Sequence, residues 1–300
     1  MRRNSIRPIF DSFISSSNSK FKLVYSCESS SKGSSSSSSS SSSSLSPAFL
    51  TSLTKRLIIL DSSFNPPHIG HLSMIKQAIL NQNQNQNQNH TKDSFNITTI
   101  NTTSILLLLS VKNADKESSS VDCYLNRIDL ICHMADYISN ELGIGCSVGL
   151  TQCSLFADKA KVIDHWLNNE SKNSIEKYYL VGFDTITRLF DAKYYSDSVE
   201  NSLNSFFKNN SVVVLLRDDG KVSIDDQVEY FNSISIGTCA NIPSKWMKKI
   251  FITQSPSEWG ISSSNIRKMI ANGDCNWQTM VIPSIKSAIL DSGLYGLRNV

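Results

Sequence analysis

His68 and His71 are the side chains whose types and spacing most clearly allow chemistry in this chain. They lie in the segment 61–71, DSSFNPPHIGH, which directly follows an apolar run at residues 57–60. A helix that begins near residue 69 or 70 would carry both imidazoles on its first turn, where free backbone N–H groups favour an anion such as phosphate. The segment therefore predicts a phosphate-binding turn, with a capping or partly buried histidine as the alternative for each residue.

A second polar cluster, residues 261–267 with the sequence ISSSNIR, precedes a predicted helix near the C-terminus. Ser262, Ser263 and Ser264 supply hydroxyl groups, and Arg267 places a guanidinium on the first turn. An arginine there opposes the helix dipole unless an anion is bound, whereas hydroxyls, N–H groups and a guanidinium together suit a polyphosphate. The alternative is a simple N-cap formed by Ser262 or Ser263.

Two further candidates stand where apolar strands end. Asp184 comes two residues after Gly182, and a carboxylate at this position could hold a ribose or an amide. Arg217 directly follows the apolar run 212–216, where a guanidinium suits a phosphate. The alternatives are an N-cap for Asp184 and an ordinary surface position for Arg217.

Alternating apolar runs and helical stripes must position these residues. Strands are predicted at residues 21–25, 57–60, 105–109, 146–150, 178–181, 212–216 and 250–253. Helices are predicted at residues 69–79, 124–140, 158–168, 184–190, 263–272 and 282–291. Because the central strands are apolar on both faces, the pattern indicates an α/β fold in which helices cover both sides of a doubly wound parallel sheet. Such folds bind ligands at the carboxyl ends of the strands, where the two histidines lie.

Composition indicates how the chain is organised. Residues 29–48 are serine-rich and residues 81–92 form an Asn/Gln-rich loop, and both are too polar to offset ordering entropy by burial, so we expect disordered insertions. Residues 1–28 are expected to pack on the core as an N-terminal extension, and residues 49–300 to form the main domain. The expected core contacts of the extension are Phe10, Phe13 and Ile14.

Composition also argues against several classes of function. The net charge of +3 is spread along the chain, so no nucleic acid partner is expected, and the seven cysteines form no CxxC pair, so neither a disulfide framework nor a zinc site is expected. No apolar stretch approaches the roughly 18 residues of a membrane span. The expected compartments are the cytoplasm and the nucleus, with the mitochondrion as the alternative because the N-terminus resembles a transit peptide in composition. The sequence is compatible with a homo-oligomer.

Together, residues 62–71 and 261–267 resemble the paired signatures of the nicotinamide mononucleotide adenylyltransferases, a family of the HxGH nucleotidyltransferase superfamily. The resemblance covers about residues 56–297 and indicates a divergent eukaryotic member. The other matching positions are Lys116, Gly182, Asp184 and Arg217. The resemblance implies a Rossmann-like nucleotidyltransferase fold.

The implied reaction condenses ATP with nicotinamide mononucleotide to give NAD and pyrophosphate, by in-line attack without a covalent enzyme intermediate. Mg²⁺ is the implied cofactor, bound with ATP and with few protein ligands. The implied catalytic residues are His68 and His71. The implied ATP-binding residues are Ser62, Ser63, Phe64, Arg217, Ser262, Ser263, Ser264 and Arg267. The implied substrate-binding residues are Asn65, Lys116, Gly182 and Asp184.

The chain also departs from the family pattern. Ser62 stands where the family usually has glycine, Asp115 replaces a loop tyrosine, and Ser264 replaces a threonine. The family's aromatic residue over nicotinamide has its counterpart in Phe156 or Trp259. These departures support an alternative from another class, a diverged nucleotide-binding or ATP-hydrolysing protein that acts through partners.

Other enzymes of the superfamily share parts of the pattern. Class I aminoacyl-tRNA synthetases contain the string HIGH, but this chain has no KMSKS-like loop and is short for a catalytic core with tRNA-recognition domains. Pantetheine-phosphate adenylyltransferases are a further alternative, although the arginine that ends the serine cluster resembles the nicotinamide branch more closely.

Overall fold

The computed structural model describes residues 2–27, 50–80, 102–111, 120–170, 174–218, 221–254 and 261–297. Several positions discussed above lie outside the described residues: 29–48, 81–92, Asp115, Lys116 and Trp259. Within the described ranges, every helix is too short or too polar to span a bilayer.

The described structure is built on a seven-stranded sheet with the strand order β1-β4-β3-β2-β5-β6-β7. Its strands are β1 (Phe21–Cys27), β2 (Arg56–Asp61), β3 (Thr103–Ser110), β4 (Gly145–Thr151), β5 (Glu176–Gly182), β6 (Asn210–Leu216) and β7 (Ile250–Gln254). All neighbouring strands are parallel except β1 and β4, which pair antiparallel. The mostly parallel sheet confirms the predicted α/β fold. The predicted strand at residues 21–25 is the edge strand β1, and only its antiparallel direction differs from the predicted parallel sheet. An antiparallel strand needs no helical crossover to join the sheet.

Helices flank both faces of the sheet. They are α1 (Arg3–Ser15), α2 (Ile69–Leu80), α3 (Val121–Leu142), α4 (Phe156–Glu170), α5 (Phe183–Leu189), α6 (Val199–Asn209), α7 (Ile224–Ser235), α8 (Ser263–Ala271) and α9 (Pro283–Ser292). Short 3-10 helices span Ala192–Tyr194, Ser244–Lys249, Cys275–Thr279 and Leu294–Gly296. The sequence prediction has no counterpart for α1, α6 and α7. Of these, α6 and α7 begin at clear capping residues. Their serine N-caps, Ser198 and Ser223, each accept a backbone N–H bond and are the local signal that marks both helices.

Strand β2 separates two hydrophobic cores. Ile58 and Leu60 face a core shared with α1, α2, α3, α8 and α9, whereas Leu57 and Ile59 face a core shared with α4, α5, α6 and α7. These four side chains are at most 2% exposed. Both faces of β2 are therefore covered, which is the physical reason for its continuous apolar sequence.

The N-terminal helix α1 packs against α3. Phe10 and Phe13 are buried as predicted, and the ring of Phe10 lies 5.8 Å from that of Tyr124 in α3. Ile14 is 44% exposed, so the prediction that it contacts the core is wrong. Ile6, Phe10 and Phe13 occupy one stripe of the helix, and Ile14 lies at the margin of that stripe in the last turn.

The order of the strands determines where a ligand can bind. The chain runs outward from β2 through β3 to β4, then returns to β5 on the other side of β2 and continues to β6 and β7. A reversal of this kind opens a crevice at the carboxyl ends of the two central strands. Ser62 follows β2 and Gly182 ends β5, so residues 120 positions apart in the chain meet at one edge.

Candidate active site

A cavity of about 630 Å³ lies at this crevice. The predicted residues that line it are Ser62, Ser63, Asn65, His68, His71, Gly182, Asp184, Arg217, Ser262, Ser263, Ser264 and Arg267. The side chain of Phe64 is fully buried instead, and its ring lies 4.9 Å from that of His71. Phe64 therefore packs against the His71 ring from within the core and does not offer a stacking face to the cavity.

His71 is held in one tautomer by its neighbours. Its Nδ1 accepts the backbone N–H of His68 at 3.1 Å, and its Nε2 lies 2.9 Å from Oγ of Ser62. Since Nδ1 is an acceptor, the neutral ring carries its hydrogen on Nε2 and donates it to Ser62. Burial, and then the charges of His68 and Arg217, lower the pKa of His71 well below 6.5. His71 is therefore a neutral hydrogen-bond donor at physiological pH.

His68 lies against His71, with 3.8 Å between the ring centroids. Burial, followed by the charge of Arg217, lowers the pKa of His68 to about 3. Its Nδ1 is buried and has no hydrogen-bond partner among the described residues. A Cβ at Gly70 would come within 2.9 Å of that atom, so the glycine between the histidines is required by the position of the His68 ring.

Helix α8 is tied directly to the histidine turn. Ser262 is its N-cap and accepts the N–H of Asn265 at 3.2 Å, while Ser263 Oγ donates to the carbonyl of Pro66 at 2.8 Å. Arg267 Nη1 donates to the carbonyl of Asn65 at 2.6 Å. The capping alternative thus holds for Ser262. Ser263 and Arg267, however, join α8 to the histidine turn, which lies about 200 positions earlier in the chain.

Arg217 is positioned by a buried glutamine that the sequence pattern does not single out. Gln227 in α7 is 1% exposed, accepts the backbone N–H of Arg217 at 3.3 Å and donates to its carbonyl at 2.5 Å. This double contact fixes the chain where it leaves β6. The guanidinium acts electrostatically on both histidines, since its charge lowers the pKa of each.

Asp184 lies at the rim of the cavity and is half exposed. Its carboxylate pairs with Arg188 at 2.8 Å, one turn along α5. A Cβ at Gly182 would lie 2.9 Å from Oδ1 of Asp184, so the glycine allows the carboxylate to fold back over the end of β5. A ligand hydroxyl that reaches this carboxylate must share it with Arg188.

Comparison with known proteins identifies the family. The chain is 33% identical over 234 residues to a Schizosaccharomyces pombe protein named "Putative nicotinamide mononucleotide adenylyltransferase", covering 76% of this chain and 81% of that protein. The chain belongs to the nicotinamide mononucleotide adenylyltransferase family. No family model matches it.

The solved structure of another protein has the same fold as this chain. It is "Plasmodium falciparum nicotinic acid mononucleotide adenylyltransferase complexed with APC", with a TM-score of 0.50 and 15% identity. The match covers 81% of this chain and 98% of the solved chain. At this level of identity the likeness concerns the fold, which agrees with the mostly parallel sheet.

The tautomer of His71 bears on how this adenylyltransferase works. A histidine that activates a serine as nucleophile must accept the serine hydrogen on a free ring nitrogen. His71 uses Nδ1 to accept a backbone N–H and therefore carries its hydrogen on Nε2, which faces Ser62. Ser62 is thus an acceptor for His71, which argues against a covalent intermediate on this hydroxyl.

Sequence reasoning misses several residues of the cavity. Asp61 and Lys159 form an ion pair there, and Ser110, Tyr124 and Arg127 also contribute to the lining. Asp61 immediately precedes the histidine segment, so its position at a strand end is a local signal. Lys159 lies in the first turn of α4, where a positive charge opposes the helix dipole. An unfavourable basic residue near a helix N-terminus is the same signal of a binding site that singled out Arg267.

The neutral histidines predict a pH dependence of stability. Because the pKa of His68 is about 3 in the folded protein and 6.5 unfolded, the unfolded state binds more protons below pH 6.5. Protonation of His68 therefore favours the unfolded state, and its contribution to the free energy of unfolding is fully present above pH 6.5. As the pH falls to 5, this group alone lowers the free energy of unfolding by about 2 kcal/mol. The free energy of unfolding in urea, measured from pH 7.5 to 5, is expected to fall less steeply in His68→Gln. Equal slopes in both proteins would contradict the prediction.

Proposed function

We propose that this chain transfers the adenylyl group of ATP to nicotinamide mononucleotide, forming NAD and pyrophosphate. The observation that carries the proposal is the direct hydrogen bonding of the histidine turn to the start of α8, through Ser263 and Arg267. This contact brings neutral imidazole donors, hydroxyls and a guanidinium to one wall of a single cavity. Such a set of donors suits a triphosphate.

The reaction needs positioning and charge stabilisation more than covalent chemistry. A phosphate oxygen of the mononucleotide forms a bond to the α-phosphorus of ATP, and the bond from that phosphorus to the bridging oxygen of the β-phosphate breaks. Pyrophosphate leaves with the electron pair of that bond. In our proposal His71 Nε2–H and His68 donate to phosphate oxygens, while Arg217 and Arg267 offset the negative charge. Ser62 must rotate away from His71 for the first of these bonds to form.

Mg²⁺ is proposed to arrive as the complex with ATP. The cavity carboxylates Asp61 and Asp184 each pair with a basic side chain, Lys159 and Arg188. Phosphate oxygens and water are therefore expected to supply most ligands of the ion, which is the usual mode of Mg²⁺ binding with nucleotides.

The mononucleotide is proposed to bind beside β5. In this proposal Asp184 contacts the ribose hydroxyls, and Asn65, which lines the same cavity, is a further contact of the mononucleotide. Phe156, at the start of α4, lines the same side and contacts Tyr179 at 6.0 Å between ring centroids. Its ring is our candidate for the aromatic contact with the pyridine, and the loop lysine Lys116 is a further proposed substrate contact.

ATP hydrolysis without transfer is the second candidate function. The observation in its favour is the Ser62 hydroxyl, which accepts a hydrogen bond from the Nε2–H of His71. The family usually has glycine at the position of Ser62. A serine that stayed in this position would remove one phosphate contact from the transfer reaction.

A single assay separates the two functions. The purified full chain is incubated with Mg²⁺ and ATP alone, with added nicotinamide mononucleotide, or with added nicotinate mononucleotide, and the products are separated by chromatography. We expect dinucleotide and pyrophosphate in equal amounts when a mononucleotide is present. Release of ADP and phosphate at the same rate in all three samples, with no dinucleotide, would refute the proposed transfer and support hydrolysis.

A further inference from the structure

Asp61 and Lys159 form an ion pair inside the cavity that the proposed transfer reaction does not use. Their side chains are 8% and 6% exposed, and Lys159 Nζ donates to Asp61 Oδ2. The other carboxylate oxygen of Asp61 accepts from Ser110 Oγ at 3.4 Å. Lys159 Nζ also lies 5.0 Å from the centroid of the Phe156 ring. The pair thus stands beside an aromatic side chain on the cavity wall.

The stability of the fold does not account for this pair. Two charges that are taken out of water lose solvation, and apolar side chains of similar size commonly serve a fold as well or better. Lys159 also lies in the first turn of α4, where its charge is opposed by the helix dipole. A buried, locally unfavourable pair that borders a cavity is therefore a candidate for contact with a ligand.

The pair and the histidine turn lie toward opposite faces of the sheet. Helices α2 and α8, which carry His71 and Arg267, cover one face of the sheet, and α4, which carries Lys159, covers the other. Asp61 continues the alternation of β2 and points toward the α4 side. Because one cavity includes residues from both sides, it crosses the edge of the sheet. The histidines and the pair line the same cavity, so one bound ligand can contact both.

The pair presents a donor and an acceptor together. Lys159 Nζ has three hydrogens and gives one to Asp61, while the carboxylate has about four acceptor sites, of which the two described bonds use two. A carboxamide matches both partners, because its oxygen accepts from the ammonium and its NH₂ donates to the carboxylate. A carboxylate matches only the ammonium and is repelled by Asp61.

We propose that the Asp61–Lys159 pair binds the carboxamide of the mononucleotide and selects nicotinamide over nicotinate mononucleotide. The proposal rests on the proposed function and adds the residues that determine its substrate. Asp61 is the discriminating member, since its negative charge excludes the acid form and its oxygen accepts the amide hydrogen.

The test measures kcat/KM for both mononucleotides at saturating ATP. Wild type is expected to prefer nicotinamide mononucleotide, and Asp61→Asn is expected to shift the ratio of the two efficiencies toward the nicotinate form by at least about tenfold, with KM for ATP unchanged. The matched control is Lys161→Met on the same helix, which removes an exposed ion pair with Asp158 and should leave the ratio unchanged.

A second variant keeps the test valid if Asp61→Asn fails to fold. The double variant Asp61→Leu with Lys159→Met removes both charges and leaves no unpaired one, so we expect it to fold and to lose most of the discrimination. An unchanged ratio in a folded variant, or a wild-type preference for the nicotinate form, would overturn the proposal and leave the transferase function standing. Wild type that makes no dinucleotide from either substrate would refute both.

Discussion

His71→Ala is expected to lower kcat for dinucleotide formation by about 10²–10³, the effect of removing one preorganised donor to a developing charge. The ring is neutral, its Nδ1 accepts the backbone N–H of His68, and its single N–H group is at Nε2, beside the cavity. A donor fixed in this way needs little rearrangement when charge develops on a phosphate oxygen. The rate is measured by dinucleotide formation with ATP and nicotinamide mononucleotide at saturation.

The control for this variant is His165→Ala. His165 is an exposed histidine of α4, so its removal is expected to leave the rate unchanged. Because His71 is 7% exposed, thermal unfolding of His71→Ala must show that the variant is folded at the assay temperature. A folded His71→Ala protein with full transfer activity would remove this histidine from the proposed mechanism.

Arg267→Ala is expected to reduce kcat/KM for ATP by about 10²-fold, since a charge-assisted hydrogen bond in a partly buried site contributes roughly 1.5–3 kcal/mol. Arg267 Nη1 donates to the carbonyl of Asn65, and Nη2 donates to Ser264 Oγ at 3.3 Å. The variant therefore loses a phosphate contact and also loosens the connection between α8 and the histidine turn. Initial rates over a range of ATP concentrations measure the effect.

Two companion variants separate these roles. Arg267→Lys keeps the charge but loses the planar fork, so an intermediate loss is expected. Lys268→Ala removes the exposed charge next to it in α8 and is expected to behave as wild type. If Arg267 only holds the two segments together, kcat/KM for ATP and for the mononucleotide should fall equally, and the proposed contact with the triphosphate would then be wrong.

Much of the architecture is predictable because it depends on local patterns. The run 212–216 is apolar on successive residues, which is typical of a short strand covered on both faces, and it forms part of β6. The stripe at residues 124–140 becomes α3, which is bounded by Ser120 as N-cap and by Gly143 in the left-handed conformation. Each of these signals lies within one element, so one-dimensional information is sufficient to find it.

The two polar segments of the candidate site are also recognisable from their sequence. Their residue types restrict the chemistry, and the rule that ligands bind at strand ends is sufficient to place the histidine turn at the crevice. The contact between the two segments is different. No local pattern states that Ser263 donates to Pro66, because the 197 positions that separate them must first fold into the sheet that brings them together.

Residues that are close in the chain are sufficient to predict the α/β class, to locate the histidine turn and to propose polyphosphate binding by the serine and arginine cluster. The tautomer of His71, the burial of Phe64 and the pairing of Asp61 with Lys159 across 98 positions follow only from the folded arrangement. The physical reason is that protonation and the exposed fraction of a side chain depend on neighbours in space. Substrate selection, as we propose it, depends on the same neighbours.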